Sequence, residues 1–413
     1  MTAGAPFDPK IECMDPEARH DLQEQRLRDL VDRLLSTDNP QGARLREIGV
    51  MRGTDVRLDE IHLLPTITKQ DLWDHYPFGL RIAPEEDVVC VHGSSGTGGR
   101  PTLIPYTAND VEVWSEVMAR ALKGAGASSR SIVHNAYGYG LFTGGLGVHH
   151  GGLKLGAAVV PMSGGMTERQ VRLIHDLRPD VLCCTPSYAL RLAEDLDPDN
   201  SIEVGVFGAE PWTEEMRREI EARLGIRALD IYGLSEVIGP GVACESLDSE
   251  GLLNIAEDHF YPETVDGELV FTTLTKTGMP LLRYRTGDVA TLHGPAGQRT
   301  LRRMSKLKGR KDDMLVIRGV NVFPTEIEAV VLEHAGPHYL IVEDRRTPIA
   351  RLHVAVESAE DVAPRLTTNL RERLGVTCQV HVLAPGRLPR TEVGKAQRLA
   401  RWTRGQAPVD GLS

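Results

Sequence analysis

The chain has no uninterrupted apolar run of bilayer-spanning length, which excludes a protein threaded through a membrane by helices. Its first residues, Met1-Thr-Ala-Gly-Ala-Pro-Phe-Asp8, lack a charged segment followed by an apolar core, so no secretory signal is expected there. Basic charge is not concentrated anywhere: 47 Lys and Arg against 58 Asp and Glu are spread along the chain and leave a net charge of −11. Nucleic-acid binding therefore has no electrostatic footprint. Cysteine is scarce, and the six thiols at 13, 90, 183, 184, 244 and 378 show no paired metal spacing. Most lie in apolar runs, where a reduced thiol packs as a small hydrophobe, so a cytoplasmic setting is expected. Internal repeats and low-complexity segments are also missing, which removes solenoids and disordered linkers.

What is present is a layered pattern. At 413 residues the chain is too long for one ordinary core, and two or three domains are expected. Asp15-Pro16 reads as an N-cap with Pro in the first helical position, followed by Leu27, Leu30, Val31, Leu34 and Leu35 at helical period. Val88-Val-Cys-Val91 is a strand candidate, and Val111, Trp114, Val117, Met118 and Leu122 mark a helix. Apolar segments at 131–134, 157–160, 181–184, 204–207 and 228–232 then alternate with helical stretches, which predicts an α/β domain with largely parallel strands. After about residue 262 the pattern becomes short β-like pieces. Beyond 313 it predicts a strand at 314–317, a helix from Pro324, strands near 339–343 and 351–357, a helix near 361–373 and a strand at 378–383. The expected architecture is a large layered α/β domain over 1–311 and a smaller mobile α+β domain over 312–413.

Val88 through Val91 runs into Gly93-Ser-Ser-Gly-Thr-Gly-Gly-Arg-Pro101. Glycines let backbone N–H groups turn inward, and Ser94, Ser95 and Thr97 add hydroxyl donors, so the segment suits a phosphate. Taken alone it is equally a flexible connection. It is not a Walker A loop, because Gly99 and Arg100 stand where Lys and Ser or Thr would be required.

That loop has company. Gly208-Ala-Glu-Pro211, Tyr232-Gly-Leu-Ser-Glu236, Arg285-Thr-Gly-Asp288, Gly309-Arg-Lys-Asp-Asp313 and Arg390-Thr-Glu-Val-Gly-Lys395 follow it in the order found in adenylate-forming acyl-CoA synthetases. With His134-Asn-Ala-Tyr-Gly-Tyr-Gly-Leu-Phe-Thr-Gly-Gly145 and Arg318-Gly-Val-Asn-Val-Phe-Pro324, the chain most closely resembles the phenylacetate-CoA ligases, over about residues 70–400.

The resemblance implies an ATP-dependent, AMP-forming aryl-acid-CoA ligase acting through an acyl-adenylate. A carboxylate attacking the α-phosphorus of ATP must approach another anion, so cations and donors have to screen the pair. Ser94, Ser95, Gly96, Thr97, Gly98 and Gly99 would hold the β- and γ-phosphates, with Arg100 where relatives usually carry Lys. Gly208, Ala209 and Glu210, together with Asp230, Ile231, Tyr232 and Gly233, would surround the adenine, Tyr232 stacking on it. Ser235 would reach the α-phosphate and Glu236 would hold Mg²⁺, for which its hard oxygen is suited. Asp288 would take the ribose hydroxyls, with Arg310 beside it. Lys395 would stabilise charge developing in the transition state. Asp312 matches the hinge about which the small domain turns, and Arg318 and Gly319 would then help form the tunnel for coenzyme A. Tyr137, Phe142 and His150 would line an aromatic-acid pocket. The rings are notable in a chain with only 4 Trp, 9 Tyr and 7 Phe; ordinary core packing is the alternative reading of the aromatic rings, and a satisfied structural histidine that of His150.

The chain also departs from the resemblance. His149-His150 stands where a Tyr-type residue is expected, which points to a hydroxy- or aminobenzoate as an alternative to phenylacetate. Many relatives hold a structural zinc; here Cys244 remains, but Asn254 and Pro295-Ala-Gly-Gln298 replace the other ligands, so no zinc is expected. Transfer to a carrier-protein phosphopantetheine, rather than to free coenzyme A, is the alternative acceptor. A catalytically silent nucleotide-binding protein is the alternative of another class. A homodimer is what the resemblance suggests, and the first ~65 residues match the family poorly.

Overall fold

The computed structural model describes residues 4–94, 101–311, 313–317, 320–347, 350–389 and 396–409. Among the described residues the largest sheet has nine strands. Five of them, Arg227–Leu234, Val204–Gly208, Val181–Cys184, Ile132–Asn135 and Ala158–Val160, run parallel as neighbours in that order, as the alternating sequence predicts. Gly239–Cys244, Leu253–Ile255, Arg303–Met304 and Leu292–His293 extend the sheet antiparallel from its Arg227–Leu234 side.

The strand period of two splits each inner strand between two cores. Val181 and Cys183 pack with Trp114, Val117, Met118 and Val148 of the helices Ala108–Gly124 and Thr143–Leu155. Leu182 and Cys184 pack with Ile174, Tyr188, Met216 and Ile220 of the helices Thr167–Leu177, Pro186–Leu192 and Glu214–Leu224. Adjacent cysteines thus serve opposite faces, and burial raises the pKa of both.

The strand expected before the glycine-rich loop is present as Val88–Gly93, but outside this sheet. It pairs antiparallel with Leu103–Thr107 in a two-stranded ribbon and leaves Val89 and Val91 exposed. A second sheet, Phe260–Val265, Glu268–Thr273, Tyr284–Val289 and Gly309–Arg310, is antiparallel throughout. The C-terminal part carries the hairpin Leu315–Ile317/Val320–Val322 and a four-stranded sheet in the order Cys378–Leu383, Arg351–Glu357, Tyr339–Asp344, Leu399–Trp402. Its own core is closed by Ile327, Val330 and Val331 of the helix Pro324–Leu332 and by Leu366 and Leu370 of the helix Ala363–Leu374. Leu399–Trp402 was not read from the sequence, because four residues in a charged tail carry too little pattern.

The helix Pro16–Leu35 begins where predicted, with Asp15 capping Glu17 and Ala18 N–H groups. Its apolar stripe packs on Leu274 and Leu282. Its basic side chains reach main-chain oxygens far along the chain: Arg33 donates to Lys276 O at 2.8 Å and Leu274 O at 3.1 Å, and Arg19 to Thr300, 281 residues away.

Close to that helix lies a buried cation. Arg299, 4% exposed, donates to Glu12 Oε2 at 2.8 Å, Asp248 Oδ1 at 3.0 Å and Gly4 O at 2.7 Å. It borders a small cavity also lined by Cys244, Ser246 and Asn254. Among the described residues no group of three His, Cys, Asp or Glu side chains could hold a metal, and no helix is long and apolar enough to cross a membrane.

Candidate active site

The sequence motifs meet where the ends of Val204–Gly208 and Arg227–Leu234 face the second sheet and the ribbon. Tyr232 is buried at 7% exposure, and its hydroxyl donates to Asp288 Oδ2 at 2.7 Å. Two residues 56 apart in sequence are thereby brought together, one from the parallel sheet and one from the antiparallel sheet. Burial, with Asp288 adding to it, raises the Tyr232 pKa well above that of a free phenol. Asp288 is the ladder partner of Arg310, whose Nε lies 3.8 Å from Asp288 Oδ1. Glu268 supports this corner by accepting from Arg285 at 2.6 Å, from Gly287 N at 2.9 Å and from Lys311 Nζ at 3.1 Å.

Backbone closeness explains two of the glycines. A Cβ on Gly208 would lie 2.1 Å from Ile231 O, and one on Gly233 would lie 1.9 Å from Gly239 O. Gly233→Ala is expected to destabilise the site by about 1–3 kcal/mol through overpacking against main chain that cannot yield. The check is thermal unfolding with and without AMP; an unchanged melt with full AMP stabilisation would contradict the packing argument. Ala209 takes a left-handed φ of 72°, turning the chain so that Glu210 leaves the strand's line.

Ser235 sits at the head of the glycine-rich segment, its Oγ 3.3 Å from Gly93 O and 3.2 Å from Thr143 Oγ1. Ser94 N donates to Thr102 O at 3.0 Å, closing the loop at its base. The buried Ser94 hydroxyl has no partner among the described residues, which suits a donor kept for an anionic ligand. Ser95, Gly96, Thr97, Gly98, Gly99 and Arg100 lie outside the described residues, as do Asp312, Arg318, Gly319 and Lys395.

Glu236 is 4% exposed, and Lys69 Nζ lies 3.8 Å from its Oε1. Lys276 is 1% exposed and donates to the Glu236 carbonyl at 2.9 Å, while its ammonium stands 5.0 Å from the Tyr106 ring centre. Burial lowers the Lys276 pKa to about 8. Tyr106 OH donates in turn to Ser235 O at 3.1 Å. Successive carbonyls of the Ser-Glu turn are therefore held from beneath by a stacked Lys and Tyr. Sequence reasoning missed Lys69, Tyr106 and Lys276: a lysine in Thr275-Lys-Thr-Gly278 reads as a surface turn, and only tertiary packing buries it.

The expected acid-pocket residues divide. Tyr137 is buried and donates to Val206 O at 3.4 Å, whereas Phe142 is 53% exposed at the start of the helix Thr143–Leu155. The two histidines take different partners. His149 Nδ1 lies 3.2 Å from Tyr139 OH, while the His150 ring lies 5.8 Å from that of Trp114, edge-on. Trp114 continues through His92 to Tyr106, linking this wall to the Ser235 turn. Ile231 belongs to the core, and Asp230, whose pKa burial raises, has Lys306, Trp212 and Arg217 for neighbours.

Comparison with known proteins places the chain in a family. Residues 23–270 match the family model described as AMP-binding enzyme, and residues 319–401 match that of the AMP-binding enzyme C-terminal domain. The phenylacetate-coenzyme A ligase of Escherichia coli is 45% identical over 97% of this chain and 98% of its own. That of Thermus thermophilus is also 45% identical, over 95% and 98%. Among solved structures, 2-hydroxyisobutyryl-CoA ligase in the postadenylation state with 2-HIB-AMP superposes with a TM-score of 0.88 at 26% identity, over 96% of this chain and 93% of that one. The same enzyme with CoA in the thioesterification state gives 0.71, over 96% and 92%. The chain belongs to the AMP-binding enzymes and, within them, to the family of the phenylacetate-coenzyme A ligases.

Proposed function

We propose that this protein is an ATP-dependent, AMP-forming ligase that joins an aromatic carboxylic acid to coenzyme A through an acyl-adenylate. The observation that carries the reading is the Tyr232–Asp288 pair beside Ser235 and Glu236, a set of polar groups drawn from two sheets in a chain of this family. In the first half-reaction a carboxylate oxygen of the acid bonds to the α-phosphorus of ATP and pyrophosphate leaves. In the second the coenzyme A thiolate bonds to the acyl carbon and AMP leaves.

Within this reading the 1–311 unit binds ATP and acid, and the 312–413 unit brings Lys395 to the first step. Tyr232 faces the adenine, Asp288 and Arg310 take the ribose, and Ser94 with the glycine-rich segment takes the phosphates. Tyr137, buried against Val206, and Phe142, exposed at the start of the helix Thr143–Leu155, are the rings this reading gives to the acid. A single buried carboxylate, Glu236, fits Mg²⁺, which is commonly held by one protein carboxylate together with substrate phosphates. Bound there, the ion would neutralise phosphate charge. Lys69 pairs with the Glu236 carboxylate from the protein side, and the Lys276–Tyr106 pair keeps the turn rigid.

The test is a panel of phenylacetate, benzoate, salicylate and amino- and hydroxybenzoates with ATP and Mg²⁺, followed by AMP and pyrophosphate release with and without coenzyme A. Coenzyme A-dependent turnover of one aryl acid is the expected result. Adenylate formation that coenzyme A does not advance would transfer the acceptor role to a carrier-protein phosphopantetheine. No turnover of any acid would overturn the ligase reading.

A further inference from the structure

Beside the packing of Leu332 on the Ile174–Met216 core and the His338–Glu194 pair, the large and small units are joined by a reciprocal pair of carboxylates. Glu210 of the large unit accepts from Ser187 N at 2.7 Å with one oxygen and from Ala396 N at 2.8 Å with the other. Ala396 is peptide-bonded to Lys395, so this is the last described anchor before that lysine. In the other direction, Glu328 of the small unit accepts from Thr213 N at 3.2 Å, at the cap of the helix Glu214–Leu224. Each unit offers a carboxylate to a main-chain N–H of the other.

Arg398 stands between them. Its side chain is 17% exposed; it donates to Ser187 Oγ of the large unit at 3.1 Å and to Pro337 O of the small unit at 3.3 Å. Its guanidinium lies 4.7 Å from the Tyr339 ring centre and 3.7 Å from Glu328 Oε2, which also accepts from Tyr339 OH. Burial alone would lower the Arg398 pKa, but Tyr339, Glu328 and Glu210 together raise it. The Arg398 carbonyl accepts from Ile341 N at 2.9 Å, and Leu399 then pairs with Ile341 in the C-terminal sheet. The arm therefore moves with the sheet, not on its own.

A join of this kind is directional and separable. An apolar interface is costly to open, whereas carboxylate, guanidinium and N–H groups regain water when they part. The better superposition on a relative's postadenylation state than on its thioesterification state identifies the seated arrangement.

We propose that Arg398 is a positioning residue for adenylation: with Glu210 and Glu328 it seats the chain beside Lys395 against the large unit, and it contributes nothing to thioester formation. The proposal rests on the acyl-adenylate reading given above. Arg398→Met is expected to lower the kcat of ATP–pyrophosphate exchange roughly 10–100-fold, the population lost when a charged buried hydrogen bond is removed from one of two states. The KM values for ATP and acid, and thioester formation from the prepared acyl-adenylate plus coenzyme A, should stay within about twofold. Arg398→Lys, which keeps the charge beside Glu328, should recover part of the exchange rate. Because Arg398→Met leaves Glu328 buried without its cation, the double variant R398M/E328Q is measured beside it and should show the same split with a native melt.

The acid is phenylacetate, or whichever of the panel the wild type adenylates. Wild-type exchange with unchanged exchange in the variants overturns the positioning role. So does an equal loss of both half-reactions in a double variant that melts like the wild type. Absence of exchange in the wild type with every acid overturns the ligase reading and the proposal together.

Discussion

Lys395→Ala should lower acyl-adenylate formation by about 10²–10³-fold, the usual cost of removing one donor aimed at charge developing in a transition state. Thioester formation from supplied acyl-adenylate and coenzyme A should remain within about twofold, because the role proposed for the lysine ends when pyrophosphate has left. The physical basis is local. Two anions brought into reaction range repel strongly in a water-poor cleft, and the cations described around Glu236, Lys69 and Lys276, are occupied with that carboxylate and its main chain. The proposed mechanism draws a further cation from the small unit, where Ala396, the residue after Lys395 in sequence, donates to Glu210 of the large unit. The measurement is ATP–pyrophosphate exchange set beside single-turnover thioester formation; equal loss in both would remove the role assigned to Lys395.

Arg299→Met is the second large effect, on stability and not on chemistry. Glu12 is 2% exposed and reaches Arg299 at 2.8 Å; truncating the cation strands that carboxylate away from water and frees Asp248 and the Gly4 carbonyl. Breaking a buried pair from one side costs about 3–5 kcal/mol. Thermal and denaturant unfolding should show that loss, and the double variant R299M/E12Q should regain much of it, since no buried charge is then left unpaired. A loss below about 1 kcal/mol in the single variant would mean that Arg299 does not hold this corner.

Much of the layered part was legible because each strand is apolar and bounded by turn residues: Val181-Leu-Cys-Cys184 and Val204-Gly-Val-Phe207 announce buried strands without reference to anything distant. The ribbon could be read as a strand but not as one standing apart from the sheet, since four apolar residues say nothing about their partner. The antiparallel extension through Arg303–Met304 and Leu292–His293 was invisible for a related reason: two-residue strands are defined by pairing alone. At the site, residues inside motifs were found, while those serving them from elsewhere were not. Lys276 supports Glu236 across 40 positions, and Arg398 meets Ser187 across 211. No period or spacing encodes such distances. The histidine pair shows the same limit, because adjacency in sequence gave no hint that His149 and His150 would turn to different rings.

The helix Pro16–Leu35 has a consequence for synthesis. Its apolar stripe shares a core with Leu45, Val56, Leu58, Ile61 and Leu64 as well as with Leu274 and Leu282, whereas Arg19, Arg26 and Arg33 find partners between Glu257 and Thr300, so these polar contacts cannot form until that part of the chain has left the ribosome. At about 5–20 residues per second, this amphipathic helix waits roughly a quarter of a minute to a minute for those partners, with only the segment 45–64 to pack on. Early in its life the nascent chain thus holds a small N-terminal core whose arginines are still without their carboxylate and main-chain acceptors. A slower translation rate over the middle of the message would lengthen that wait without altering a single native contact.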